Sequence, residues 1–431
     1  MGTPKLKIML QVPFIKANKE LVISRLAIRN LDAKPLVEAV LSLDEKRRDL
    51  QTELDKVLAE SNRISKEIGI LFKSGKGAEA NELKAQTGTL KETSKTLGDQ
   101  LNETAEALQT ALYKIPNVPH ESIGPGKSDE DNEEIFRAGD IPTLHDNAKP
   151  HWELAKDYNI IDFELGNKIT GAGFPVYIDK GARLQRALIA YFLDKNVEAG
   201  YKEYQLPHLI NSASGVGTGQ LPDKEGQMYH VTEDDLYLIP TAEVPGTNIF
   251  RDTLVSEADL PISITGYTPC FRREAGSYGA HVRGLNRLHQ FDKVEIIRVE
   301  HPDNSYNALD TMVKHVENIL KDLELPYRIL RLCGGDVTFA SALTFDFEVY
   351  STAQEKWLEV SSISNFETFQ ANRLKLRFKN ADGKNELAHT LNGSSLALPR
   401  ILASILENYQ TPEGIKVPKA LIPYTGFDMI N

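Results

Sequence analysis

Between Leu36 and Leu112 the chain repeats apolar positions at alternating steps of four and three. Leu36, Val40, Leu43, Leu50, Leu54, Val57, Ile64, Ile68 and Leu71 form a heptad seam, broken by Arg47 and Ser61. A break at Gly75 and Gly77 follows. The pattern then resumes more weakly through Leu83, Thr87, Leu90, Ser94, Leu97, Leu101, Thr104, Leu108 and Ala111. Two seams joined by a short turn predict an antiparallel helical hairpin, each arm roughly 50 Å long at about 1.5 Å per residue. The pattern alone leaves open a spacer or a dimerisation coiled coil.

Beyond the hairpin the pattern changes. Pro116, Pro119, Pro125, Pro142 and Pro150 punctuate a stretch whose acidic run, Ser128 to Glu134, reads as a solvated loop. From His151 onward, short apolar runs mix with amphipathic segments. Helices are predicted over 151–158, 180–199, 304–323 and 394–408. Strands are predicted over 203–206, 236–239, 263–271, 286–298, 327–333, 343–352 and 357–362. The strands follow one another with few helices between them, which favours an antiparallel sheet flanked by helices over a doubly wound parallel one. The expected fold is α+β. An N-terminal domain, residues 1–115, carries the two-helix coiled coil at 36–112; a linker spans 116–150; the sheet domain spans 151–431.

Composition narrows the function classes. The chain has 431 residues, 41% hydrophobic and 26% charged, enough for a full core and an appended module. Its formal net charge of -11 argues against indiscriminate coating of nucleic acid, and no DNA partner is expected. Cys270 and Cys333 are far apart and neither stands at metal-ligand spacing, so no zinc site and no disulfide framework are expected. There is no run of 18 apolar residues and no signal-peptide core, so neither a membrane partner nor export is expected, and the expected compartment is the cytoplasm. Met9 offers a second start, which casts residues 1–8 as an extension.

Five local signals carry chemistry. Thr268-Pro269-Cys270-Phe271-Arg272-Arg273-Glu274 reads as a strand that would present Arg272 and Glu274 on one face, followed by a loop with Gly276, Gly279 and Gly284. Gly393-Ser394-Ser395 reads as the start of the last long helix, with free N–H groups for an anion and Arg400 two turns in. Glu359-Val360-Ser361-Ser362 places a carboxylate and a hydroxyl where they can share a hard cation such as Mg²⁺. Thr241-Ala242-Glu243 is a polar triplet after a strand ended by Pro240. Gly181–Gly200 followed by Tyr201–Leu206 and Pro207 is a helix, a strand and a stop. Each alone has a bland reading: an Arg–Glu ion pair, a surface arginine, an edge strand, a loop, a structural helix. Gly215-Val216-Gly217-Thr218-Gly219 has the wrong spacing for a phosphate loop and reads at best as a mobile cover. His281 and His289 lack ligand-spaced partners and read as hydrogen-bonding or positioning residues.

In that order, the helix–strand–Pro207, Phe271-Arg272-x-Glu274 and the run ending at Arg400 are similar to motifs 1, 2 and 3 of class II aminoacyl-tRNA synthetases. Thr241-Ala242-Glu243, residues 268–295, EVSS at 359–362 and HTLNGSSLALPR at 389–400 resemble the seryl-tRNA synthetase family of the bacterial type, as does the hairpin preceding the catalytic domain. Two departures are small: Arg273 in place of the commoner serine, and Ser395 in place of the commoner glycine, where a tighter helix start is expected. The branch of the family that uses zinc is not matched.

The resemblance implies activation of L-serine with ATP and transfer of serine to serine tRNA, and also to selenocysteine tRNA where one is present. It implies that Arg272 contacts the α-phosphate and the serine carboxylate. Glu274 would accept from the adenine amino group, and Phe291 and Arg400 would stack on opposite faces of adenine. Arg273, Arg287, Leu288, Val360 and Ser361 would line the nucleotide, and Glu359 and Ser362 would hold Mg²⁺. Thr241, Ala242 and Glu243 would bind the ammonium end of serine, and Glu295, Asn392 and Ser394 its hydroxyl. It further implies a homodimer, built through residues 181–207, and recognition by the hairpin of the tRNA's long variable arm. A related ligase loading a carrier protein would not need the hairpin, and a catalytically dead RNA-binding paralogue would not keep Arg272, Glu274, Glu359 and Arg400 together.

Overall fold

The structure is a computed structural model that describes residues 11–223, 226–274 and 283–431. The chain divides into two compact units, one ending at Val118 and the other running Pro119–Asn431.

In the first unit, α1 (Val12–Ala17) and α2 (Lys19–Ala27) precede two long helices, α3 (Lys34–Lys73) and α4 (Gly77–Tyr113). The seam positions behave as their spacing requires. Val40, Ile64, Leu97, Thr104 and Leu108 are buried, and the remaining seam side chains are half-buried, as expected where only two helices cover the seam. Gly75, at φ 76°, makes the turn between the helices in the left-handed region that favours glycine. Asp44, buried beside the seam, is paired with Arg47 at 2.9 Å and Arg48 at 2.9 Å.

The second unit is built on an eight-stranded sheet. In chain order its strands are β1 (Glu133–Ala138), β2 (Lys202–Glu203), β3 (Ile262–Phe271), β4 (Gln290–Glu300), β5 (Tyr327–Arg331), β6 (Leu343–Ser351), β7 (Lys356–Asn365) and β8 (His389–Ala397). Their order across the sheet is β1-β5-β6-β7-β8-β4-β3-β2, antiparallel throughout except for the short parallel pair of β2 with β3. Helices α5 (His151–Asp157), α6 (Asp179–Glu198), α7 (Ser212–Thr218), α8 (Glu243–Asn248), α9 (Ser305–Asp322), α10 (Phe369–Leu374) and α11 (Leu398–Asn408) surround it.

Three sequence expectations are corrected. Glu133 and Glu134 do not belong to a solvated loop; they begin edge strand β1, opposite Arg331 and Leu330 of β5. Gly215–Gly219, expected as a covering loop, is helical as far as Thr218. Gly215–Thr218 belong to α7, which is capped by the Asn211 side chain and closed by Gly219 at φ 97°. The largest change concerns residues 389–397, where a helix start was expected from Ser394. They form β8, a central strand, and α11 begins only at Leu398. His389–Leu396 are all buried, so the alternation that marks a half-exposed strand is absent. Gly393 serves packing: a Cβ there would meet Ile363 side-chain and backbone atoms at 2.8 to 3.1 Å. Ser395, expected to tighten a helix start, instead donates from a buried hydroxyl to Asn196 of α6 at 2.8 Å.

Candidate active site

The register of the central strands places the candidate residues on one face. Glu295 of β4 lies opposite Ser394 of β8, and Ile297 opposite Asn392. Asn392 lies opposite Ser364 of β7, which shares its face with Ser362. Ser362 in turn lies opposite Asp346 of β6. Two residues three apart on a regular strand point to opposite sides, yet Glu359 and Ser362 share this face. The register shifts between β6 and β7, so that Phe347 pairs with Ser361 while Glu348 pairs with Glu359, leaving Val360 as the extra residue of a bulge. The side chains of Val360 and Ser361 are buried, and Ser361 Oγ donates to the Ser394 carbonyl at 2.6 Å. Neither side chain therefore opens onto the face; only their backbone is available to a nucleotide.

At one end of the face β3 delivers Arg272. Its backbone N–H donates to the His289 carbonyl at 2.9 Å, its Nε donates to the Pro240 carbonyl at 3.3 Å, and its guanidinium lies 5.2 Å from the centre of the Phe291 ring. The expectation that Arg272 and Glu274 share a strand face is corrected: β3 ends at Phe271, and Glu274 sits at φ 46° with its carboxylate paired to Arg287. Arg273 is exposed, and its N–H donates to the Gln227 carbonyl at 2.9 Å. Leu288 is buried beside this turn. Gly276, Gly279 and His281 lie outside the described residues. His289 is held by Tyr229 at 2.9 Å and stacked on Phe174, in keeping with a positioning residue.

Arg400 is in the first turn of α11, not two turns in. Its Nε donates to the Asn286 carbonyl at 3.1 Å and an Nη to the Glu359 carbonyl at 2.7 Å, with the Glu359 carboxylate 3.6 Å away. Behind it runs a network that sequence reasoning missed. Asn286 donates to Gln354 at 2.9 Å, Gln354 to Glu407 at 2.8 Å, and buried His151 pairs with Glu407 at 2.7 Å. The other ring nitrogen of His151 accepts the Leu285 N–H at 2.8 Å, so Nδ1 carries the proton toward Glu407. This ties the segment after residue 282 to the helix that holds Arg400.

At the other end, Thr241, Ala242 and Glu243 form the turn into α8, below Glu295. Glu243 accepts from Gln370 of α10 at 2.6 Å, and Gln370 accepts from Thr390 of β8 at 2.8 Å. Burial, and after it the neighbouring Glu295, push the Glu243 carboxyl above its ordinary range, while Lys293 and the Gln370 hydrogen bond pull it back. Asn392, only 5% exposed, faces the Glu243 carboxylate and, with Gln370, helps to hold it down. Lys293, Gln370 and Asp346 were not foreseen. For Lys293 a signal existed, because it stands two residues from both Phe291 and Glu295 and so must share their face.

Glu359, Ser362 and Asp346 offer oxygen donors that suit a hard cation. Asp346 Oδ1 is buried without a partner; burial and then the charge of Glu359 hold this carboxyl well above the usual range. Among the described residues no group of three or more His, Cys, Asp or Glu side chains stands together as metal ligands.

Comparison with known proteins places these features. Residues 228–409 match the tRNA synthetase class II core domain (G, H, P, S and T), and residues 9–119 match the seryl-tRNA synthetase N-terminal domain. The chain is 48% identical to the serine–tRNA ligase of Salinibacter ruber over 98% of its length and 99% of that protein's. It is 46% identical to that of Akkermansia muciniphila over the same shares. Among solved structures, seryl-tRNA synthetase from Pyrococcus horikoshii complexed with ATP superposes with a TM-score of 0.91 at 32% identity, covering 98% of this chain and 99% of that one.

Proposed function

The chain belongs to the seryl-tRNA synthetase family of class II aminoacyl-tRNA synthetases, and we propose that it activates L-serine with ATP and then esterifies the 3′ end of serine tRNA with it. A carboxylate oxygen of serine attacks the α-phosphorus, and the bond to the β-phosphate breaks to release pyrophosphate. A ribose hydroxyl of the tRNA then displaces AMP from the seryl-adenylate. Both partners of the first step are anionic, so catalysis is chiefly positioning and neutralisation of developing charge.

The observation that carries this reading is the single sheet face on which nucleotide and amino-acid candidates meet, with Phe291, Lys293 and Glu295 alternating along β4. Arg272, whose planar fork suits two anions at once, stands at the end of β3 to take the α-phosphate and the serine carboxylate. Phe291 provides the surface for adenine, and Glu274 the acceptor for its amino group. Arg400, now on the Glu359 carbonyl, is placed to exchange that contact for the terminal phosphate and the other face of the base. Arg287 and Leu288 flank the nucleotide, with Arg273 and the backbone of 360–361 at its edges. Glu359 and Ser362, with Asp346 behind, would hold magnesium brought in with ATP; when bound, that ion neutralises phosphate charge.

Thr241 and Glu243 would receive the ammonium group, with Ala242 forming the wall between them. Glu295, Asn392 and Ser394 would enclose the hydroxyl. A pocket whose buried carboxylate needs a hydroxyl rejects alanine more strongly than a steric wall rejects threonine. The long hairpin would grip the variable arm of serine tRNA by shape and backbone contacts.

Serine-dependent ATP–pyrophosphate exchange tests this reading. Exchange with serine and none with alanine is expected, followed by charging of serine tRNA. Absence of exchange by the folded, magnesium-supplied protein would overturn it.

A further inference from the structure

Lys293 is a charged side chain only 8% exposed, in the middle of the candidate site, with no role in the scheme above. Its ammonium donates to Thr241 Oγ1 at 2.7 Å and lies 2.6 Å from the Glu295 carboxylate. Thr241 Oγ1 is itself 3.4 Å from that same carboxylate. Glu243 lies near enough for both Lys293 and Glu295 to act on its charge. On the neighbouring strand, Thr268 lies opposite Lys293, and the buried Cys270 thiol is opposite Phe291. Among the described residues, these contacts bring two carboxylates and one ammonium to this end of the pocket.

A buried charge must be balanced, either by a partner or by taking up a proton. By formal charge, Glu243 and Glu295 contribute two negative charges and Lys293 one positive, a formal remainder of one negative charge. That remainder matches one α-ammonium group. The ligand's own carboxylate is the share of Arg272, so a monoamino acid closes the balance. A second ammonium on the ligand would find Lys293 already in place.

We propose that Lys293 is a positioning and specificity-determining residue of the amino-acid subsite: it holds Thr241 and Glu295 in register and sets the pocket's charge so that one ammonium group, and not two, is accepted. This rests on the serine reading of the same site. Lysine thereby excludes diamino acids of serine's size, which a pocket with two free carboxylates would welcome.

The probe is L-2,3-diaminopropionate, serine with its hydroxyl replaced by an amine. Pyrophosphate exchange with each amino acid is measured for the wild type, Lys293→Met and Lys293→Arg, with thermal melting as the check of folding. Lys293→Met is expected to lose about 100-fold in kcat/KM for serine while the KM for ATP stays within about twofold. Its preference for serine over diaminopropionate is expected to fall by about 100-fold or more. Lys293→Arg, which keeps the charge, is expected to restore the preference. If Lys293→Met does not fold, Lys293→Gln removes the charge while keeping a donor for Thr241, and the same fall in preference is expected. An unchanged preference in a folded, charge-free variant overturns the role of Lys293 and leaves the serine reading standing. A wild type that exchanges with neither amino acid overturns both.

Discussion

Arg272 concentrates the chemistry proposed for this site in one side chain. Among the described residues its side-chain partners are a backbone carbonyl and the Phe291 ring, and no carboxylate forms an ion pair with it. Arg272→Ala should leave the melting temperature nearly unchanged and lower pyrophosphate exchange by about 10²–10³, the usual effect of removing one preorganised charge-stabilising contact. Activity within a few-fold of wild type would refute the assignment. Glu295→Gln should raise the KM for serine far more than that for ATP; the reverse pattern would move Glu295 to the nucleotide. His389 carries a prediction about stability. Burial, and then the charge of His301, depress its pKa to about 3. The unfolded chain protonates this ring near pH 6.5 and the folded chain does not, so the stability it contributes is full above that pH and lost as the pH falls toward 3. At pH 5 the loss is about 2 kcal/mol. Urea denaturation at pH 7.5 and pH 5 should show a smaller difference for His389→Asn than for wild type; equal differences would exclude this source. Buried groups of this kind were invisible in the sequence, because what depresses His389 is its enclosure, not its neighbours in the chain.

At the scale of elements, periodic segments were legible and the buried centre of the sheet was not. Helices α3 and α4 followed from a seam of period 3.5 that survives substitution by serine and threonine. Strands β3, β4, β6 and β7 were read within a few residues of their ends. β8 was missed because all its side chains from His389 to Leu396 are buried, which removes alternation, and because Gly-Ser-Ser looks like a helix cap. Even so, Asn392, Ser394, Glu295, Glu359 and Ser362 were named from motif resemblance and fall on one face, the last two only because of the bulge at Val360. Lys293 lies inside the run 268–295 but was not singled out there, and Gln370 lies outside every motif. The hairpin's role is testable as an element. Removing residues 36–112 and bridging the ends should spare serine-dependent exchange and eliminate tRNA charging. Efficient charging by the shortened protein would reduce the hairpin to a spacer, and loss of exchange in a folded product would give it a part in activation.

For the whole molecule, the resemblance of α6 and the following segment to motif 1 implies a two-fold interface, and the protein should sediment near twice 48.1 kDa. A stable, active species at 48.1 kDa would contradict this. The stripe Phe291, Lys293, Glu295 also has a consequence for anyone seeking to block the enzyme. Alternate residues of an extended strand stand about 6.7 Å apart, so the stripe is a ruler of about 13 Å from the adenine surface to the hydroxyl pocket. β4 is paired along this length with β3 and lies beside β8, and so has little freedom to stretch. An inhibitor joining a purine to an amino acid through a non-hydrolysable bridge should therefore show a sharp optimum in bridge length. Each half delivers the other at high local concentration only when the bridge fits. A series in which affinity hardly varies as the bridge gains two or three atoms would show that the halves bind without reference to this ruler.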